Sequence, residues 1–293
     1  MPEGDTVWLA GRNLNSALGG QVLTTADLRV PRYATADLAG RVVHEVVSVG
    51  KHLLFRFSGG LTLHTHFRMD GTWHLYRPGD RWHGGPAWQI RAVLGTAGYD
   101  AVGYRLPVVD LVPTSAEAQL VGHLGPDVLG ADWSPARASA NLVAQGERAI
   151  GAALLDQTVL AGLGNLYRTE VCFLAAITPW TPTSSVADLA RVVDLSHRLL
   201  NLNKDRALQV STGDTRRGRW HFVFEQKRCL RCGGPVSTNL QDTDGRLVDP
   251  TAGTGRQRLT YWCAHCQAGP SPASRSSREL LGPRTVGRTR YSP

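Results

Sequence analysis

Four of the five cysteines fall into two pairs of identical spacing, Cys229-x2-Cys232 and Cys263-x2-Cys266, and no other feature restricts the fold so tightly. Each C-x2-C turn presents two thiolates to one side, and two such turns supply the four sulfurs of a tetrahedral zinc site. The 30-residue interval between the pairs exceeds the roughly 15–20 of common zinc ribbons. Its middle, 242–256, is polar and Gly-rich, which predicts an insertion at the tip of a hairpin. A closed set of four thiolates leaves no open coordination position, so one structural Zn2+ would hold the hairpin and do no chemistry. His265 reads as a bystander. Five cysteines are too few to staple a chain of 293 residues, and paired cysteines outside a disulfide scaffold point to a reducing compartment. With no signal peptide and no apolar run long enough to span a bilayer, the expectation is a cytoplasmic protein with no membrane association.

The formal charge of +8 makes an anionic partner, nucleic acid above all, the leading expectation. Half of that excess lies in the last 25 residues, where five arginines face one glutamate in a Gly/Pro/Ser-rich tail too poor in apolar residues to pack. Only three of the 32 basic residues are lysines, Lys51, Lys204 and Lys227, which singles out each lysine position.

Val7, Ala10, Leu14 and Leu18 recur at helical spacing behind Asp5 or Thr6 as N-cap, and Gly19-Gly20 stops the pattern. From about Gln21 to Val112 short β-branched or alternating runs predict an antiparallel sandwich, most clearly Lys51–Phe57 and Leu61–Phe67 joined by Ser58-Gly59-Gly60. Gly, Pro and Asp cluster over Gly122–Asp132, marking a domain junction. Helices are expected over Ala149–Leu160, Leu166–Ala175 and a run opened by Ser185 or Asp188, with a strand at Arg219–Phe224. The fold class that follows is α+β and multidomain. The expected boundaries are 1–122 for a helix plus β-sandwich, 123–215 for a helical domain, 216–268 for the zinc finger and 269–293 for a basic, disordered tail.

Two features carry chemistry. In Leu160-Ala161-Gly162-Leu163-Gly164-Asn165 the glycines allow close backbone approach and Asn165 can open a helix, whose N-terminal N–H groups and dipole favour a phosphate. At the other end of the chain, removal of Met1 before a small residue leaves Pro2 with a secondary amine, a nucleophile when a nearby cation such as Lys51 lowers its pKa. Glu3, one residue away, can shuttle protons.

The set Met-Pro-Glu-Gly, Gly50-Lys51, Gly125-Pro126-Asp127-Val128-Leu129, Asp156-Gln157, Leu160 to Asn165 and the four-cysteine hairpin resembles the formamidopyrimidine-DNA glycosylase / endonuclease VIII family, in order over residues 2–267. The resemblance implies a β-sandwich domain, a helix-two-turn-helix domain and a zinc finger, with DNA in the cleft between domains. It implies that Pro2 attacks C1′ of a damaged nucleotide, that Glu3 handles protons at the deoxyribose, and that Lys51 contacts phosphate and assists. Asn165 and Arg258 match the positions that grip flanking phosphates. Met69, in Phe67-Arg68-Met69-Asp70-Gly71, matches the wedge that fills the gap when a base is flipped out. The implied partner is damaged DNA, bound by a monomer without organic cofactor.

The family resemblance as a whole implies a Schiff base and β,δ-elimination that nicks the strand. Pro-Glu-Gly, the absence of an Arg-Arg-Phe segment in Tyr104–Val112 and the short Val210–Trp220 connection resemble endonuclease VIII, implying oxidised pyrimidines as substrates. Thr6 stands where many relatives carry a second carboxylate. A purine-directed glycosylase of the same family, a non-catalytic damaged-DNA-binding protein and a zinc-ribbon transcription regulator are the alternatives. The joint presence of Pro2, Glu3 and Lys51 speaks against the binding-only reading, because gripping phosphate needs neither a terminal amine nor an adjacent carboxylate.

Overall fold

The computed structural model describes residues 2–245, 257–275 and 280. Met1, residues 246–256 of the expected hairpin-tip insertion and most of the basic tail lie outside them. The chain forms two compact units: the first takes in the residues up to 138 together with 157–164 and 196–209, and the second 139–156, 165–195 and the residues from 210 on.

The first unit opens with helix α1 (Gly4–Leu18), which buries Val7, Leu14 and Leu18. Its N-cap is Glu3 in an extended conformation, without a side-chain capping bond. The expected caps are thus displaced: Asp5 lies inside the helix, where its carboxylate accepts the Gln209 amide at 2.8 Å. Eight strands follow: β1 (Thr25–Leu28), β2 (Val43–Val49), β3 (His52–Phe57), β4 (Leu61–His66), β5 (Thr72–Tyr76), β6 (Ile90–Gly95), β7 (Asp100–Tyr104) and β8 (Val108–Pro113). They form two antiparallel sheets, ordered β1-β6-β7-β5 and β2-β3-β4-β8. Alternation along β3 sends Leu53, Phe55 and Phe57 into the core with Leu63, Phe67, Trp73 and Leu94. Each such side chain contributes roughly 1.5–3 kcal/mol by leaving water.

The alternate positions of the second sheet mix the buried Leu54 with polar residues. His52 pairs with His66 and His64 with Asp110 across β3, β4 and β8. Farther along, the Arg56 guanidinium holds Glu117 of the short helix α2 (Glu117–Val121) at 2.8 Å and Glu45 at 2.6 Å.

Helices α3 (Pro135–Val143), α4 (Ile150–Ala153), α5 (Asn165–Leu174) and α6 (Leu189–Asn203) occupy the middle of the chain. Asp188 caps α6, accepting the Arg191 N–H at 2.8 Å. The helix expected over Ala149–Leu160 stops at Ala153, and after one further turn the backbone from Gln157 to Ala161 bonds sideways instead. Gly125 N–H donates to the Gln157 carbonyl at 2.9 Å, and Ala161 N–H to that of Pro126 at 3.0 Å.

In the second unit β9 (Ser237–Gln241) and β10 (Arg258–Trp262) pair antiparallel. The strand expected at Arg219–Phe224 does not form. The N–H groups of Phe222, Val223 and Phe224 go to the buried Glu170 carboxylate at 2.8–2.9 Å, a partner no periodicity reveals. Among the described residues no helix is long and apolar enough to cross a membrane.

Candidate functional site

In the first unit the glycine turn at 161–164 gathers the proton shuttle Glu3 and the cation Lys51. Gly164 N–H donates to Glu3 Oε2 at 2.6 Å, and Lys51 Nζ donates to the neighbouring Leu163 carbonyl. Gly4 N–H reaches the Gly162 carbonyl at 2.8 Å, and the Gln157 side chain bonds both Gly162 N–H and the Leu163 carbonyl at 3.0 Å. Pro2, adjacent to Glu3, is partly exposed, while Glu3 is fully buried.

These approaches require glycine. A Cβ on Gly164 would lie 2.4 Å from Glu3 Cδ, and one on Gly4 2.9 Å from the Gly162 Cα. Gly162 itself takes φ +108, a conformation costly for any residue with a Cβ. The expectation of a phosphate-gripping turn therefore needs revising at Gly164, whose N–H is taken by a carboxylate of the same chain.

Lys51 is positioned by the β2–β3 hairpin. Val49 and His52 pair, leaving Gly50-Lys51 as a two-residue turn with Gly50 at φ +58. Positive φ at the first central position is the pattern of a type II′ turn, which matches strand twist. Gly50 N–H donates to Asp127 Oδ2 at 2.8 Å, and Leu129 N–H to Oδ1 at 3.1 Å. Burial pushes the Asp127 carboxyl up, against the pull of those two N–H groups. Sequence reading missed this role: the Gly125–Leu129 segment is legible as a junction, but its aspartate is a brace for the Gly50-Lys51 turn.

A histidine cluster lies next to Lys51 in sequence and structure. His52 Nδ1 and His64 Nε2 are 2.8 Å apart, and the His66 ring meets His52 edge-on at 4.9 Å. Burial, reinforced by the neighbouring histidines and Lys51, pushes His52 down to about 3. Burial and then Lys51 push His66 down to about 4. Asp110, 3.6 Å from His64, works the other way, but burial prevails and His64 also falls. The cluster is therefore uncharged at neutral pH. Met69 stands on the turn between β4 and β5 with 59% of its surface exposed, against a low prior for a side chain of its type.

In the second unit Asn165 is the first residue of α5, and its side chain bonds away from the glycine turn. Its Nδ2 donates to the Leu259 carbonyl at 2.9 Å and its Oδ1 accepts from the buried Arg168 guanidinium. Arg168 also bonds Thr260 Oγ1 at 2.9 Å and Gln241 Oε1 at 2.8 Å, tying α5 to both strands of the hairpin. Arg258, one residue before Leu259, is exposed at the start of β10. The structure thus brings Asn165 close to the strand that carries Arg258.

The sulfurs of Cys229, Cys232, Cys263 and Cys266 lie within 4.8 Å of one another, with Cys232 to Cys263 at 3.5 Å and Cys229 to Cys266 at 3.9 Å. A convergent set of four thiol donors fits a metal ion, and no other such cluster of three or more His, Cys, Asp or Glu occurs among the described residues. Cys172 is buried and apart from the set, its thiol pushed by burial up to about 12.

Two family models match the chain: the formamidopyrimidine-DNA glycosylase N-terminal domain over residues 1–101, and the formamidopyrimidine-DNA glycosylase H2TH domain over residues 124–209. A "Probable endonuclease 8 2" of Streptomyces coelicolor is 54% identical, the match covering 93% of this chain and 96% of the relative. The "DNA-(apurinic or apyrimidinic site) lyase Nei2" of Mycolicibacterium smegmatis is 41% identical over 91% of this chain and 99% of its own. The fold is shared with a solved complex between the Lactococcus lactis Fpg and an abasic site containing DNA, at a TM-score of 0.72 and 22% identity, covering 92% of this chain and all of that one. With the glycine turn, the sandwich and the four-cysteine cluster in place, the chain belongs to the formamidopyrimidine-DNA glycosylase / endonuclease VIII family, on its endonuclease VIII-like side.

Proposed function

We propose that this protein is a bifunctional DNA glycosylase and abasic-site lyase of base excision repair, acting as a monomer on oxidised bases, pyrimidines foremost. One observation carries the reading: Glu3 and Lys51, 48 positions apart in the sequence, bond consecutive residues of one glycine turn, with Pro2 next to Glu3. A buried carboxylate and a lysine held this way beside an N-terminal secondary amine are the parts of amine-driven sugar chemistry.

In this reading the Pro2 nitrogen attacks C1′ as the bond from C1′ to the base breaks, and the base leaves with a proton. Glu3 takes the proton shed by the attacking amine and passes it to O4′ as the sugar ring opens, giving an iminium between Pro2 and C1′. Loss of a C2′ proton then expels the 3′ phosphate, and a second elimination expels the 5′ phosphate. Lys51 steadies the phosphate charge. Water finally hydrolyses the iminium and returns the amine.

Met69 enters the gap left by the flipped base, whose extraction costs a few kcal/mol. Asn165, whose amide carries a second N–H, and the exposed Arg258 grip phosphates. The pyrimidine preference is supported by the relatives named endonuclease 8 and by the short Val210–Trp220 connection, which closes on itself where Ser211 N–H meets the Trp220 carbonyl at 2.8 Å. The four cysteines fit Zn2+, which when bound would supply a rigid cross-link and no substrate chemistry.

The test is to mix the protein, with its N-terminus verified by mass, with duplex DNA holding one abasic site, add borohydride, and map the adduct. A covalent link on Pro2, lost in Pro2→Gly, is expected. No adduct from protein that begins at Pro2 and contains zinc overturns the reading in favour of a DNA-binding protein without chemistry.

A further inference from the structure

Met69 sits at the tip of a turn that is tied down before any DNA arrives. His66 Nδ1 accepts the Arg68 N–H at 2.9 Å, and Gly71 N–H closes the turn on the Phe67 carbonyl at 2.8 Å. Gly71 is obligatory there, since a Cβ would stand 2.8 Å from Phe67 Cα. The third tie comes from 35 residues away: Arg105 Nε donates to the Asp70 carbonyl at 3.1 Å. The same guanidinium bonds Gln89 Oε1 at 2.6 Å and the Gly84 carbonyl at 3.2 Å, while Arg105 N–H reaches the Gln89 carbonyl at 2.8 Å.

A planar fork that joins two loops in fixed geometry is what arginine does and lysine does not. Backbone conformation supplies a second, independent observation. Among the described residues four non-glycines adopt positive φ, and two of them are Arg68 at +46 and Arg105 at +49. Strain of this kind persists only where the surroundings over-determine it, and it concentrates at functional sites. Both ends of the clamp therefore carry it, while the methionine they frame is exposed.

We propose that Arg105 is a positioning residue for base extrusion, its guanidinium binding the Asp70 carbonyl to the Gly84–Gln89 segment so that Met69 is held out as a preformed wedge. The inference rests on the wedge reading of Met69. A wedge fixed in advance spends no binding energy on ordering itself at the moment the stacked base must be displaced. Its absence is felt where a base has to be unstacked, and little at an abasic site, where there is none to remove. Arg105 acts through Met69, so the two should not be additive.

The experiment compares single-turnover excision of an oxidised pyrimidine from duplex DNA with strand cleavage at a preformed abasic site in the same duplex. Met69→Ala, Arg105→Ala, Arg105→Gly, Arg105→Lys and the double variant Met69→Ala/Arg105→Ala are each measured. Excision is expected to fall at least tenfold in Met69→Ala, Arg105→Ala and Arg105→Gly, and in each by a larger factor than abasic cleavage falls in the same variant. Arg105→Lys should fall with them, and the double variant should be no slower than Met69→Ala. Arg105→Gly relieves the left-handed backbone, so its melting temperature should not drop; lost excision in a variant this stable separates positioning from folding. Hydrogen exchange at the Arg68 and Gly71 amides should quicken without Arg105. If Met69→Ala shows the selective loss and the Arg105 variants do not, the clamp is overturned and the wedge stands. If Met69→Ala excises normally, the wedge reading fails and the clamp falls with it.

Discussion

In the cysteine hairpin two short turns bring four sulfurs within 4.8 Å of one another, and every donor belongs to a pair separated by two residues. In the glycine turn, residues 162–164 find their partners at residues 3, 4, 51 and 157, and each of the five bonds to them uses a backbone N–H or carbonyl of the turn. The first centre is specified by what its side chains are, the second by what its glycines lack. A side-chain centre fails when a donor is removed. A backbone centre fails when an atom is added.

The largest effect is expected at the cysteines. Cys263→Ser, or removal of zinc with a chelator, should abolish the stoichiometric metal and unfold the β9–β10 hairpin, since zinc binding of this kind is worth on the order of 10 kcal/mol of folding free energy. Far-UV and exchange signals from the sandwich should survive, because its core draws on none of these residues. Loss of sandwich protection at the same chelator concentration would show that the two regions do not respond separately.

The converse perturbation is Gly164→Ala. One methyl group must displace the Glu3 carboxylate, 2.4 Å away, and a misplacement near 1 Å can cost about 10²-fold in rate. Abasic cleavage should fall by about that factor while zinc content stays at one per chain. Normal turnover in this variant would sever Glu3 from the chemistry.

How much of each centre can be read from sequence follows from the same contrast. The C-x2-C pairs, and the alternation of Leu53, Phe55 and Phe57, are local patterns with a single physical meaning, so the hairpin and the sandwich are legible. The start of α1 and the end of α4 are not, because Glu3 and residues 157–161 serve partners far away in the chain. Asp127, Arg105 and Glu170 left no periodic signal: each is one polar residue whose role is defined by backbone groups it meets only after folding. Glycines in Ala161-Gly162-Leu163-Gly164 announce a close approach without naming the visitor.

A smaller and graded effect is expected from acid. His52 and His66 sit near 3 and 4, against an ordinary 6.5, and His64 is lowered too. Above about pH 6.5 these imidazoles are neutral whether the chain is folded or not, and their environment costs nothing. Between 6.5 and the folded values the unfolded chain binds protons that the folded one refuses, so stability falls as pH falls. The slope is at most about 1.4 kcal/mol per pH unit for each shifted histidine, and partial solvent access makes it shallower. Denaturant unfolding at pH 7, 5.5 and 4.5, followed by exchange in β3 and β4, should show this decline, and His52→Gln should flatten it. An unchanged slope would mean that Lys51 has no uncharged histidine neighbours.

The smallest effect sharpens the contrast furthest. Gly50 and Gly233 both have positive φ, +58 and +74, but a Cβ on Gly233 meets nothing within 4 Å, while one on Gly50 stands 3.2 Å from Ala161 Cβ. Alanine at either place pays the left-handed penalty of about 1–2 kcal/mol. At Gly233 that should be the whole cost: a melting temperature lowered by a few degrees, zinc retained and cleavage unchanged. At Gly50 the same penalty is joined by pressure on the turn that carries Leu163, and by a shift of the N–H bonded to Asp127. Lys51 is the next residue, so abasic cleavage should fall several-fold beyond the loss of stability. Equal behaviour of the two variants would mean that the glycine turn tolerates added atoms as readily as the cysteine hairpin does.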